Sequence, residues 1–229
     1  MSRSLPLTDP RDVADLQTFL SRARGVDPQG AARFQARGRA VGVYVCVLEP
    51  HGLLDSTPTV LGLRTAALAR EQVLDVTVPL GGVLDRMPRQ GQDEAEVGLP
   101  PMDATVSWAG IAPPLGGWTP VGTVAGDALR ETARAGIAEV ARTVPTDAGA
   151  AVVDTVRSQV WGRSSGWAEP LAGRLSGAPL PDGAAFAAYS LGFLRPGAEV
   201  AVAENGRWVR LSTPGGHVLA KRGGLSPAG

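Results

Sequence analysis

The chain has 229 residues, of which 44% are hydrophobic and 19% charged, a globular balance that favours one large domain or two packed lobes. Its 22 basic residues equal its 22 acidic residues, so it lacks the basic excess of a dedicated nucleic-acid binder. Cys46 is the only cysteine, which excludes an internal disulfide and a cysteine-based metal site. Because there is no secretory h-region and no apolar run of roughly 18 residues, we expect a cytoplasmic protein without a membrane span.

The first predicted element is a helix that follows Asp9. Asp9 suits the N-cap, Pro10 suits the first helical position and Gly25 is a natural stop. Apolar residues recur at helical spacing and form one face, made of Val13, Leu16, Phe19, Leu20 and Ala23. A basic cluster follows, in which Arg33 and Arg37 share a face if residues 31–38 are helical.

Three strands are predicted next. Residues 40–48 (AVGVYVCVL) are apolar on both alternating faces, which indicates a central strand covered on both sides. Residues 59–69 and 73–78 have strand composition, and their short connection favours an antiparallel meander. Residues 80–87 predict a short helix, and the polar, glycine-bearing residues 88–100 predict an exposed mobile loop.

The second half of the chain is predicted to be mainly helical. Strands at 104–109 and 121–124 precede amphipathic helices at 127–144 and 147–161. A short, very apolar helix follows at 184–194 and ends before Pro196-Gly197.

The C-terminus predicts a β-hairpin. Strands at 200–204 and 207–211 flank Asn205-Gly206, a pair that favours a type I′ turn because both positions tolerate positive φ. A third strand is predicted at 217–221. The fold class is therefore α+β: an N-terminal helix on an antiparallel sheet, then a helical second half closed by a C-terminal β-meander. We expect a sheet lobe over 1–125 and a helical lobe over 126–229, packed as one unit.

The candidate catalytic groups are few. His51 follows the first strand with Glu49, Asp55 and Ser56 nearby, a grouping that a base orienting a nucleophile requires. Turns also collect such residues for structural reasons, and a cleft that holds His51 with two acids would favour an enzyme. Asp75 and Asp85, around a strand-to-helix corner, are further acids to consider.

No motif assigns a catalytic residue, a metal or a cofactor. The glycine pairs Gly81-Gly82 and Gly116-Gly117 lack the lysine of a phosphate loop and the spacing of a dinucleotide fingerprint. No histidine and carboxylate pair has metal-ligand spacing. We therefore predict no metal and no cofactor.

Four of the five tryptophans lie at loop edges. Trp108 and Trp118 bracket one loop rich in proline and glycine, and Trp161 and Trp167 bracket another. Tryptophan is enriched at interaction hot spots because it offers a large area with few rotatable bonds. The alternative is that each ring completes a core that has few other aromatic residues. On the first interpretation the four tryptophans bind an unknown protein partner or a second copy of the chain.

The order helix, helix, short helix, hairpin is also that of a winged-helix domain. In such domains a polar or basic helix enters the major groove, whereas the helix predicted at 184–194 is apolar. Arg207 and Arg210 in the hairpin are placed to contact phosphates. Nucleic-acid binding through these arginines is the secondary interpretation.

Two segments carry a resemblance to known sequences. LDVTVPLGGVLDRM (residues 74–87) and GRWVRLSTPGGHVLAKR (residues 206–222), with 21 arginines to one lysine in the chain, resemble conserved uncharacterised proteins of GC-rich actinobacteria. The resemblance implies a bacterial cytoplasmic origin and brings no activity or functional residues with it. The sequence thus predicts a non-catalytic binding or regulatory protein that contacts another macromolecule. A winged-helix-like nucleic-acid binder and an enzyme with a carboxylate-based site are the alternatives.

Overall fold

A computed structural model describes residues 3–52, 55–87, 95–177 and 179–222. The chain forms two compact units, one of Met1–Cys46 with Gly62–Ala112 and one of Val47–Leu61 with Pro113–Gly229. Helices and antiparallel sheets both occur, with a C-terminal strand meander, which confirms the predicted α+β class. The division at residue 125 stays a prediction. No helix in the described ranges is long and apolar enough to cross a membrane.

The first unit contains one long helix, α1 (Pro10–Val26), whose boundaries follow from its capping residues. Asp9 accepts a hydrogen bond from the Arg11 N–H at 2.8 Å, and Pro10 occupies the first turn. The buried residues are those that the periodicity predicts: Val13, Leu16, Phe19, Leu20 and Ala23. The helix is therefore defined locally, by its cap and its apolar face.

Two strands of the first unit are longer than predicted, and two short strands were not predicted. β1 (Arg3–Pro6) pairs antiparallel with β4 (Glu96–Leu99), from Arg3 opposite Leu99 to Pro6 opposite Glu96. The predicted loop at 88–100 is thus partly strand, and its residues 88–94 lie outside the described residues. The unit also contains most of the two long strands and a short helix: β2 (Ala31–Leu48), β3 (Thr59–Pro79) and α2 (Leu80–Leu84).

Strand β2 begins nine residues before the predicted strand at 40–48, so the condition under which Arg33 and Arg37 would share a helix face is not met. In the segment ARFQAR, buried Ala32, Phe34 and Ala36 alternate with Arg33 and other polar residues. That period of two is a strand signal, and it outweighs the helical spacing of the arginines because it buries one complete face.

Two further boundaries differ from expectation. β3 continues through residues 70–72, because exposed polar side chains are compatible with a strand that leaves one face open. Residues 104–109 do not form a strand. A 3₁₀ turn occupies Ser107–Gly110 and buries Trp108.

The second unit combines a sheet with a helical layer. Its strands β5 to β8 pair antiparallel in the order β8-β7-β6-β5. Helix α3 packs against α4 and α5, and α4 packs against α5. The element bounds are β5 (Thr119–Ala125), α3 (Gly126–Thr143), α4 (Ala150–Gly162), α5 (Asp182–Ser190), β6 (Glu199–Asn205), β7 (Trp208–Thr213) and β8 (Gly216–Lys221).

The helical layer closes around one tryptophan. The ring of Trp161, on α4, stacks on Phe186 of α5 with ring centroids 4.3 Å apart. Gly136 of α3 faces the same ring, and a Cβ at that position would lie 2.3 Å from Trp161 Cζ3. α5 is buried over most of its length, because a helix built mainly of alanine and phenylalanine is apolar all round. It therefore offers no polar face to a DNA groove.

The C-terminal hairpin forms as predicted, but its turn is shifted by one residue. Asn205 pairs with Trp208, so the two turn residues are Gly206 and Arg207. Gly206 has φ +56°, and no described residue other than glycine has a positive φ. This is the pattern of a type II′ turn, in which glycine takes the first central position. The predicted type I′ turn is wrong because Asn205 remains in the strand ladder.

Candidate functional site

The four tryptophans of the sequence prediction differ in exposure. Trp108, Trp161 and Trp167 are only 3%, 2% and 6% exposed, so their rings fill the interior. Trp118 is partly exposed. A position at a loop edge in the sequence therefore does not predict whether a tryptophan is buried or exposed. Partner binding by any of the four tryptophans stays a prediction. Trp118 is the member of the set whose ring a partner could reach directly.

The loop before β5 holds Trp118 in place. Its indole Nε1 donates a hydrogen bond to the Pro114 carbonyl at 3.1 Å. Asn205 Nδ2, at the end of β6, donates to the Gly116 carbonyl at 2.8 Å. Gly117 has φ +74°, a left-handed conformation that favours glycine, and a Cβ there would lie 3.1 Å from Asn205 Nδ2. The ring is therefore positioned by backbone carbonyls and by a glycine turn.

Arg210, on β7, packs against the Trp118 ring. Its guanidinium carbon lies 4.8 Å from the centroid of the Trp118 ring, which is cation–π geometry. The Nε of Arg210 is buried without a hydrogen-bond partner, and no ion pair among the described residues includes Arg210. The arginine therefore retains unused hydrogen-bonding capacity beside the aromatic ring.

Two exposed residues lie close to this pair in the sequence, Leu115 before Trp118 and Arg207 before Arg210. Leu115, three residues before Trp118, is 62% exposed. Arg207 is exposed at the hairpin turn and donates from Nη2 to the Arg222 carbonyl at 2.9 Å. We call Leu115, Trp118, Arg207 and Arg210 the hairpin surface. It combines an exposed aliphatic side chain, an aromatic ring and two cations.

His217 lies on the same face of strands β7 and β8 as Arg210. Arg210 is opposite Leu219 and Ser212 is opposite His217, so all four side chains project from one face of the sheet. His217 Nδ1 lies 3.0 Å from Ser212 Oγ. Burial, together with the positive charge of Arg210, lowers the pKa of His217 below its ordinary value. The neutral form of His217 is thus favoured, mainly by burial and secondarily by the charge of Arg210.

His51 lies at a groove of about 740 Å³ in the second unit. The groove runs between the described part of the segment 51–58 and α4, and its lining includes His51, Asp55 and Asp154. The grouping of His51 with two acids is therefore present. The Asp55 carboxylate accepts hydrogen bonds from the His51 and Thr57 N–H groups and the Thr57 hydroxyl, at 2.8, 2.8 and 2.6 Å.

These contacts give Asp55 a structural role. The Thr57 hydroxyl bond, followed by the two backbone bonds, lowers the pKa of Asp55. No hydrogen bond in the described ranges joins the His51 imidazole to a carboxylate or a hydroxyl. The groove therefore contains groups that can bind a ligand, without the oriented base and nucleophile that covalent catalysis requires.

The other candidate acids serve the fold of the first unit. Asp75 accepts two hydrogen bonds from Arg33, at 2.7 and 2.8 Å, and one from Gln35 at 3.0 Å. The Arg33 contact is the main cause that lowers the pKa of Asp75. Asp85 caps α2, and its N–H donates to the Gly81 carbonyl at 2.9 Å. Neither acid lines a described pocket.

Sequence reasoning missed a buried carboxylate and the polar face of α4. Asp182, at the start of α5, is 3% exposed and accepts bonds from the Ser165 N–H and hydroxyl, at 2.9 and 2.8 Å. Burial raises the pKa of Asp182. Asp154 and Ser158 are four residues apart, which indicates a shared helix face. The sequence around them does not show that this face borders His51. Within the described ranges, no group of three or more His, Cys, Asp or Glu residues is arranged to hold a metal ion.

Comparison with known proteins gives two family matches. Residues 1–110 match a domain of unknown function (DUF8010), and residues 113–225 match a second domain of unknown function (DUF8185). No curated protein matches the chain. Both parts of the chain are therefore similar to domains whose descriptions state no activity, and the predicted actinobacterial origin stays a prediction.

Among solved structures, the chain is similar to the DNA polymerase III subunit beta from Pseudomonas aeruginosa. The two share 12% sequence identity with a TM-score of 0.48. The match covers 100% of this chain and 66% of that chain, so this chain spans about two thirds of its length.

Proposed function

We propose that the protein is a non-catalytic binding protein that contacts another macromolecule through the hairpin surface. The observation that carries the proposal is the cation–π pair of Trp118 and Arg210, two side chains that are both partly exposed. Tryptophan and arginine are the residue types most enriched at interaction hot spots. The exposed Leu115 adds aliphatic area beside them.

The chemistry of the hairpin surface favours an acidic partner. A guanidinium that stacks on an indole keeps its N–H edge available for a carboxylate or a phosphate. Arg207 adds a second exposed cation, and the stacked pair is held before the partner arrives, which lowers the entropic cost of binding. An acidic segment of a protein, either another chain or a second copy of this one, satisfies these requirements.

The test compares what the intact protein and its variants retain from the lysate of the host. Trp118→Ala and Arg210→Gln are each expected to weaken the affinity for a specific protein about 30-fold or more, since a hot-spot residue contributes roughly 2 kcal/mol or more. Arg195→Gln is the matched control, because Arg195 is exposed in the same unit and outside the hairpin surface.

Sedimentation of the same four proteins tests a homodimer as the partner. If Trp118→Ala and Arg210→Gln recover the same proteins as the wild type and keep its oligomeric state, the hairpin surface is not the binding site.

Nucleic acid is the second candidate partner, favoured by the exposed Arg207 and by the cationic face of β7 and β8. Because α5 is buried, such binding would use phosphate contacts from the hairpin and would not read a groove by helix insertion. It predicts affinity for duplex DNA or RNA that falls steeply with salt and falls further in Arg207→Gln. No affinity at low salt, or recovery of the partner after nuclease treatment, excludes this candidate.

A further inference from the structure

The groove beside His51 is a second site, independent of the hairpin surface. Its volume of about 740 Å³ falls within the range of small-molecule sites, roughly 300–1,000 Å³. The described residues that line it come from the segment 51–58 on one side and from α4 on the other. All of them belong to the second unit, so the site is complete within one compact part of the chain.

The wall opposite α4 is ordered by its own hydrogen bonds. Asp55 accepts bonds from the N–H groups of His51 and Thr57 and from the Thr57 hydroxyl. These bonds hold His51 and Thr57 to the Asp55 carboxylate, and they leave Asp55 ionised near the His51 ring. The wall is therefore preformed, which reduces the ordering that a ligand must impose.

Four polar side chains of the groove have no partner among the described residues, and three of them, Ser56, Asp154 and Gln159, are exposed. The side chains of Ser56, Asp154, Ser158 and Gln159 make no hydrogen bond or ion pair in the described part of the chain. They are one carboxylate, two hydroxyls and one carboxamide, and all of them line the same groove. Such convergent, unused donors and acceptors are what a polar ligand requires.

The charge of the lining selects among polar ligands. Asp55 and Asp154 are both acidic, and no arginine or lysine belongs to the described lining. An anion would therefore meet two carboxylates with the His51 imidazole as the one basic side chain of the described lining, whereas an ammonium group would meet Asp154 with its oxygens unused. The hydroxyls and the carboxamide suit the hydroxyl groups of the same ligand.

We propose that this groove binds a small cationic, hydroxyl-bearing molecule of the amino-sugar class, with Asp154 as the counter-ion of its amine. Ser56, Ser158 and Gln159 bind its hydroxyl groups. Asp55 acts mainly by positioning the loop, because its oxygens already accept three hydrogen bonds from that loop.

The test is calorimetric titration of the full chain with four probes. Glucosamine carries the amine and the hydroxyls, glucose carries hydroxyls alone, spermidine carries amines alone, and glucose 6-phosphate is anionic. Glucosamine is expected to bind most tightly and glucose 6-phosphate most weakly. No heat from glucosamine at millimolar concentration, or tighter binding of glucose 6-phosphate, overturns the proposal.

Asp154→Asn tests the assigned counter-ion. It keeps the shape of the side chain, and it is expected to weaken glucosamine binding roughly tenfold while glucose binding stays unchanged. Asp147→Asn is the matched control, since Asp147 is an exposed acid before α4 that does not line the groove. Trp118→Ala should leave all four titrations unchanged, which separates this site from the hairpin surface. Equal affinity for glucosamine in Asp154→Asn and wild type overturns the assignment.

Discussion

Trp161 and Trp118 both lie at loop edges in the sequence, but they differ in burial within the second unit. Each lies next to a loop rich in glycine or proline, yet Trp161 is 2% exposed and Trp118 is partly exposed. Trp161 contacts Phe186 and the flat surface that Gly136 leaves on α3. Trp118 contacts the guanidinium of Arg210.

The difference shows that the contacted side chain decides the role of each tryptophan. An apolar ring and a glycine form a pocket without polar groups, so the indole of Trp161 is removed from water. A cation keeps most of its hydration, so the ring that it covers stays near the surface. The first arrangement stabilises the fold, and the second is the one that we propose for recognition.

The largest expected effect comes from deleting the buried ring. Trp161→Ala should lower the free energy of unfolding by about 3–5 kcal/mol, because it removes a fully packed aromatic side chain and leaves a cavity. Trp118→Ala should cost about 1 kcal/mol or less, since a partly exposed cation–π contact contributes that much. Urea denaturation of both variants measures the difference. Equal losses would show that the two tryptophans are both structural.

An intermediate effect is expected at the glycine that faces Trp161. Alanine is a better helix former than glycine by about 1 kcal/mol, yet Gly136→Ala should destabilise by about 1–3 kcal/mol. The reason is that its Cβ would lie 2.3 and 2.4 Å from two ring carbons of Trp161. Gly25→Ala in α1 is the control, because no atom lies within 4 Å of its added Cβ. A higher melting temperature for Gly136→Ala would contradict the proposed packing.

The smallest expected effect is the pH dependence of the free energy of unfolding that His217 causes beside Arg210. Because burial, and then Arg210, lowers the pKa of His217 in the folded protein, the unfolded chain takes up this proton first. The stability that neutral His217 contributes is present above its unfolded pKa of about 6.5, and it is lost as pH falls through the folded pKa.

Chemical denaturation at pH 7.5 and 5.5 should therefore show a loss of stability at the lower pH that His217→Gln reduces. In an NMR titration, Arg210→Gln should raise the pKa of His217, and an unchanged pKa would show that the cation does not act on the ring.

Local features of the sequence predicted a substantial part of this fold. The N-cap at Asp9 and the helical spacing of Val13, Leu16 and Leu20 located α1 and its buried face. Asn205-Gly206 located the hairpin, because few residues other than glycine adopt positive φ. These signals depend on backbone conformation and on periodicity within one element.

Other features were local but were assigned to the wrong structure. The alternation of Ala32, Phe34 and Ala36 with polar residues indicates a strand, but the spacing of Arg33 and Arg37 left a helix open as an alternative. The shift of the hairpin turn to Gly206-Arg207 depends on the ladder that places Asn205 opposite Trp208. Register of this kind is set by cross-strand packing, which a single strand does not encode.

The sequence by itself determined the α+β class, the face of α1, the hairpin and the absence of a recognisable catalytic motif. Only the tertiary structure decided which tryptophans are buried, that Arg210 stacks on Trp118, and that Asp154 shares a groove with His51. The reason is that exposure and the grouping of polar side chains depend on contacts between residues far apart in the chain. His51 and Asp154 lie about a hundred positions apart, and no local pattern specifies that distance in space.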